Sequence, residues 1–239
     1  MPRQLDLNGF RAGSPLKISN KSATEAEIII YAGIGQDWWG DGSMISAKNF
    51  LEELRKVPSS VETLNVRINS PGGDVFDGVA IYNLLKQHKA KVIVHIDGLA
   101  ASIASIIALA GDEVRMGEGA LFMIHLPWTF AYGNRMEMDN TINRLMDIEE
   151  QMLGIYVNKT KMSRVELRAM LEKETWMNAD EAVEKGFANS KTEQTVAIAA
   201  SAMKSPWIHK RPENFFSDVQ AKTQKIEDLK NKISQRLKK

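Results

Sequence analysis

The chain has 239 residues, 44% hydrophobic and 26% charged, with a formal net charge of +1 at pH 7. This is the balance of a globular protein long enough to bury a core, and it offers no overall field to draw nucleic acid or an anionic membrane. Cysteine is absent, which excludes disulfides, thiolate metal ligands and cysteine nucleophiles.

No apolar run approaches the roughly 20 residues of a membrane-spanning helix, and MPRQLDLNGF at the N-terminus has no signal-peptide apolar core. A cytoplasmic protein is therefore expected. Residues 1–25 are polar, contain Gly9, Gly13 and Pro15, and read as a loose arm. Ala26 to Ala32 (AEIIIYA) reads as a buried strand, followed by a loop with Trp38 and Trp39. Ser46 to Lys56 reads as a helix capped by Ser46. Leu64, Val66 and Ile68 alternate with polar residues as in a strand, which ends in the turn Asn69-Ser70-Pro71-Gly72-Gly73. Asp74 to His88 carries apolar residues at helical spacing. Lys91 to Ile96 is again a strand, expected to break at Asp97-Gly98.

Ile103, Ile106, Ile107 and Ala110 form one helical stripe, with Gly111 placed to cap it. Leu121 to Ile124 is a strand ending at His125 and Pro127. A long helix from about Asn134 to Asn158 puts Met138, Ile142, Leu145, Met152 and Ile155 on one face. Ser163 with Glu166, and Asn178 with Glu181, have capping-box spacing, and Gly186 closes the last helix. Strands alternating with helices predict an α/β fold with a largely parallel sheet. The organisation read from this is an arm over 1–25, a main domain over 26–190, and a linker and tail over 191–239. Residues 217–239 hold seven Lys/Arg against three Asp/Glu, with Ile226, Leu229 and Ile233 at heptad-like spacing, so a short basic amphipathic helix is expected there.

Nucleotide-binding and zinc-protease signatures are absent, and so is the G-x-S-x-G elbow. Ser102 follows a strand and a glycine and opens an apolar helix, where free N–H groups and the positive dipole end favour a developing negative charge. On position alone, an N-cap serine is the commoner explanation. Ser105, a turn deeper, is the competing serine. His125 stands at a strand end, where parallel α/β proteins place functional groups, and an imidazole can take and return a proton near neutral pH. His88 and His95 are weaker candidates. Gly72-Gly73 could present backbone N–H groups as an oxyanion hole, or simply form a Pro-Gly turn. The acid is the least obvious piece. Glu172, Glu174, Asp180 and Glu181 cluster late in the domain, and Glu174 is set apart by its extended stretch Glu174-Thr175-Trp176-Met177.

These pieces occur in a recognisable order. Arg67-Ile68-Asn69-Ser70-Pro71-Gly72-Gly73 resembles the glycine turn of Clp proteolytic subunits, and Gly98-Leu99-Ala100-Ala101-Ser102 resembles their nucleophile motif. Met123-Ile124-His125-Leu126-Pro127 resembles their histidine motif, and Asn178 to Gly186 resembles the helix after their catalytic acid. The likeness covers roughly residues 26–190. It looks closest to the Clp-like head-maturation proteases of phages and prophages, through Ile34 to Gly42 and Gly73 to Gly78.

The resemblance implies a ClpP/crotonase-like fold and a serine endopeptidase that needs no metal or organic cofactor. It implies Ser102 as nucleophile, His125 as general base, and the Gly73 and Ile103 backbone N–H groups as oxyanion donors, with Gly72 shaping the turn. Clp proteolytic subunits carry an aspartate as third triad member where this chain has Glu174, the expected orienting acid. The resemblance further implies a homo-oligomer, with heptameric rings in view. Expected partners are protein or peptide substrates, and an AAA+ unfoldase or a phage scaffold or capsid protein. Two other readings share the fold. One is a crotonase-type acyl-CoA enzyme, and the other is a catalytically silent ring-forming subunit.

Overall fold

The computed structural model describes residues 16–37 and 43–192. The first elements are β1 (Leu16–Asn20), β2 (Glu25–Ile30), β3 (Gly33–Ile34), β4 (Met44–Ile45), α1 (Ala47–Leu54) and β5 (Thr63–Ser70). Then come α2 (Val75–Lys86), β6 (Lys91–Ala101), α3 (Ile103–Ala108), β7 (Glu113–Gly117) and β8 (Leu121–Ile124). The last are α4 (Arg135–Thr160), α5 (Arg164–Glu172), β9 (Thr175–Asn178), α6 (Ala179–Glu184) and β10 (Ser190–Thr192).

The main sheet runs β1-β2-β5-β6-β7-β10, with β8 joined to β6 and β9 beside β8. Its pairs are parallel except for the antiparallel edges β1–β2 and β8–β9. One face is apolar: Ile28, Ile30, Val66, Ile68, Val94 and Ile96 are at most 1% exposed and share a core with Phe50, Ile81, Leu85, Ile106 and Ile107. Burying each such side chain contributes about 1.5–3 kcal/mol.

The alternate positions of the same strands are polar. The Tyr31 hydroxyl donates to Asp97 Oδ2 at 2.5 Å, and the Arg67 guanidinium pairs with Asp97 Oδ1. His95 Nε2 lies 3.1 Å from Asn65 Oδ1, between Arg67 and Arg115 in the strand register. Burial, and then those two cations, lower the His95 imidazole to about 4, with Glu27 and Glu113 opposing them. An unfolded histidine titrates near pH 6.5, so between pH 6.5 and 4 the unfolded chain binds a proton that the folded chain does not. The stabilisation is complete above pH 6.5 and is lost as pH falls towards 4, on the order of 1–2 kcal/mol after allowance for partial exposure. The urea midpoint is expected to fall between pH 7.5 and pH 4.5, and to fall less in His95→Gln. An identical fall in that variant would show that another group carries the effect.

Two readings of the sequence change. Residues 16–20, placed in a loose arm, form β1: Leu16 is 4% exposed, and the strand pairs along β2 from Leu16↔Ile30 to Asn20↔Ala26. The strand expected to end at Ile96 continues through Asp97-Gly98 to Ala101. The helix read from about Asn134 to Asn158 runs on to Thr160 as α4, and of the five apolar residues on its stripe only Met152 is buried, while Ile142 is 55% exposed. At 26 residues α4 is about 39 Å long, and its buried residues, Met152, Leu153 and Tyr156, all fall near its C-terminal end. Trp38, Trp39 and the basic tail after residue 192 lie outside the described residues.

Candidate active site

The bend in β6 creates the site. Up to Ile96 the strand pairs with β5 and β7, and from Leu99 to Ala101 it pairs with β8. The β5–β6 register shifts between Ile68 and Ser70. Gly98 makes room, because a Cβ there would lie 2.9 Å from Asn69 Oδ1. The chain then enters α3 through Ser102, at φ 56° and ψ −129°, a backbone region that costs a non-glycine residue about 1–3 kcal/mol. Ser102 does not cap α3 with its side chain. Its N–H donates to Met123 O at 3.0 Å, and its Oγ lies 2.7 Å from His125 Nε2.

That contact follows from strand pairing. Ala101 stands opposite Met123, and each strand ends within a residue of its functional side chain. His125 is 6% exposed. The N-cap explanation for Ser102 therefore fails, because its hydroxyl is engaged by histidine rather than by the helix. Ser105 is fully buried behind it.

The glycine turn is pinned to the same place. Ile34 N–H donates to Gly72 O, and Asp74 N–H donates to Ile34 O, both at 2.8 Å. Gly73 sits between at φ 147°, and its own amide takes no part in these bonds. A Cβ on Gly73 would lie 2.0 Å from Ile34 O, and one on Gly72 would lie 2.6 Å from Ala101 O and 2.8 Å from Ser102 Cβ. Only glycine lets the turn lie against the Ser102 backbone. The Ile103 N–H is the first amide of α3, so the helix gives it no carbonyl partner. Two amides thus flank Ser102.

Glu174 follows α5 at φ 51° and leads into β9. The antiparallel register ends with Ile124 opposite Thr175, and His125 and Glu174 each adjoin that last pair. Trp176 Nε1 donates to Glu174 Oε1 at 3.3 Å. The other acids are occupied elsewhere: Asp180 pairs with Lys191, Glu181 closes the box that caps α6, and Glu172 ends α5. His88 accepts from Ala90 N–H at the end of α2, and His95 lies on the polar sheet face. Among the described residues no group of three or more His, Asp or Glu is arranged to hold a metal ion.

A cleft of about 1070 Å³ opens over Ser102 and His125. Its walls include Trp128, Phe130 and Tyr132 from the loop after His125, and Leu145, Ile148 and Met152 of α4. That loop carries no candidate residue in the sequence reading. The alternating aromatics directly after the histidine motif were the available signal.

The Clp protease family model matches residues 42–195 of the chain. The chain belongs to the Clp protease family. Its relatives include the ATP-dependent Clp protease proteolytic subunit of Deinococcus radiodurans, 28% identical over 136 residues, 56% of this chain and 67% of that protein. Proteolytic subunit 1 of Chlamydia muridarum is 31% identical over 124 residues, 50% of this chain and 65% of its own length. This Clp protease thus spans about two thirds of the length of the relatives it matches. A solved structure of a ClpP1 mutant from Listeria monocytogenes is 22% identical, with a TM-score of 0.61 over 74% of this chain and 94% of that one. At that identity the likeness bears on the fold, and it agrees with the ClpP-like architecture expected from the motifs. By family, this Clp protease is a serine-type peptidase.

Proposed function

We propose that this Clp protease is an endopeptidase with Ser102 as nucleophile, His125 as general base and Glu174 as the acid that orients the imidazole. The observation that carries the reading is the 2.7 Å contact between Ser102 Oγ and His125 Nε2. His125 takes the hydroxyl proton as Ser102 attacks a peptide carbonyl, then gives it to the leaving amine, and water repeats the sequence to release the acyl group. The Gly73 and Ile103 amides donate to the oxyanion. Glu174 is supported by its place beside Thr175, whose strand partner Ile124 adjoins His125. Its backbone turns at φ 51°, and Trp176 donates to one of its oxygens.

An extended peptide is the expected occupant of the cleft, which Gly73 lines. A crotonase-type acyl-CoA enzyme would leave the Ser102–His125 contact without a role. Met136, Ile142 and Met146 are more than half exposed on α4, which favours a homo-oligomer, with heptameric rings one arrangement. A Clp-type ATPase or a phage scaffold protein is the proposed partner class, from the family resemblance.

The test is labelling with a fluorophosphonate, mapped by peptide mass. The label is expected on Ser102 and is expected to vanish in Ser102→Ala and His125→Ala. An assembled protein whose Ser102 takes no label would overturn the peptidase reading in favour of the silent subunit.

A further inference from the structure

The peptide unit joining Ser102 to Ile103 has two polar ends. In a planar trans peptide the C=O and N–H point in opposite directions, so whatever aims the carbonyl also aims the amide. The Ser102 carbonyl is held twice: it accepts from Ser105 N–H at 3.0 Å and from Ser105 Oγ at 2.5 Å. Ser105 Oγ has a further partner, the Tyr156 hydroxyl, at 2.7 Å. Ser105 has a single hydroxyl proton, and the carbonyl can only accept, so that proton goes to the carbonyl and Tyr156 is the donor to Ser105. Burial pushes the Tyr156 hydroxyl well up, so it keeps its proton at any working pH.

Neither residue can reach substrate. Both are fully buried, and Tyr156 packs edge-on against Phe187. A buried hydroxyl pair is costly unless it is bonded, and this pair is bonded to one of the few non-glycine residues with positive φ among those described. Ile103 is independently clamped, since a Cβ on Gly78 would lie 2.2 Å from Ile103 Cγ1.

We infer that Tyr156 and Ser105 are positioning residues that set the tilt of the Ile103 N–H through the Ser102 carbonyl. Bonds donated to a carbonyl also polarise its peptide unit, which makes the N–H at the other end a stronger donor. The relay therefore aims and strengthens one of the two oxyanion donors. This rests on the peptidase reading above. It gives Ser105, the competing serine of the sequence, a supporting part instead.

The test compares the full-length parent, Ser105→Ala, Tyr156→Phe and the double variant, using a fluorogenic peptide for kcat and KM and a peptide boronate as transition-state analogue. Ser105→Ala is expected to lower kcat about 10-fold, a fraction of what losing a whole oxyanion donor costs, with KM within about twofold. Boronate affinity should weaken by a similar factor, and the pH dependence of kcat/KM should keep its shape because His125 is untouched. Tyr156→Phe should cost about threefold, and the double variant should match Ser105→Ala, since Tyr156 acts only through Ser105.

Effects confined to KM, or effects that multiply in the double variant, would overturn the inference, as would a kcat within twofold of the parent in both single variants. If Ser105→Ala fails to fold, the near-isosteric Tyr156→Phe decides alone, and an unchanged kcat there counts against the relay. A parent that neither cleaves peptide nor takes a phosphonate at Ser102 overturns the peptidase reading and this inference together. A reactive parent with indifferent variants overturns this inference only.

Discussion

Replacing His125 with alanine is expected to lower kcat for peptide hydrolysis by about 10⁴–10⁶-fold, and Ser102→Ala by a similar factor. The two groups act as one unit through the 2.7 Å contact, so the double variant should be no worse than either single one. What survives is the contribution of the oxyanion donors and the cleft, roughly 10³-fold over water. The fold should hold. Ser102→Ala removes one hydroxyl, and His125 lies at the end of β8 rather than within the core cluster. Circular dichroism and thermal melting of the variants check that the loss is chemical. Substantial hydrolysis by Ser102→Ala would exclude the proposed nucleophile outright.

The second large effect is expected from Gly73→Ala. The added Cβ would sit 2.0 Å from Ile34 O, at a φ of 147° that an L side chain rarely adopts. The bridge between Ile34 and the glycine turn must then open, carrying the Gly73 amide away from Ser102. A loss of about 10²–10³-fold in kcat/KM is expected, with a stability loss on the order of 2–4 kcal/mol. Gly154→Ala is the control. It lies in α4 with nothing within 4 Å of the new Cβ, so it should leave activity alone and stabilise by up to about 1 kcal/mol. Equal behaviour of the two variants in kinetics and urea melts would contradict the role given to the turn.

Ser102, His125 and the glycine turn stand out in the sequence as candidates because each sits at a junction where a periodic pattern stops, and it is their order, resembling that of Clp proteolytic subunits, that implies their roles. The strand period ends at Ile68, the apolar helix begins at Ile103, and the short strand ends at Ile124. These are local signals, and local φ/ψ preference and apolar alternation are what a sequence writes directly. The capping boxes at Ser163 and Asn178 are of the same kind, being contained within four residues.

What the sequence left open depended on contacts between distant segments. Gly98 read as a strand end, because a glycine signals a break; that the strand instead bends and exchanges β7 for β8 is a matter of register, which no local pattern encodes. Ser102 read as a helix-start serine with Ser105 its competitor a turn deeper, and only tertiary contacts show the pairing of Ala101 with Met123 beside one and Tyr156, far along the chain, engaging the other. Glu174 was set apart from its acidic neighbours only by its extended stretch, and the antiparallel placement of β9 beside β8 was not written there. The apolar stripe of α4 was legible, but periodicity reports amphipathicity, not what covers the face. Sequence alone thus determined the helices and the strands with a clear apolar pattern, and the chemical types at their ends. Tertiary structure decided which ends meet, because the distance between two side chains is set by strand register and packing across the whole chain.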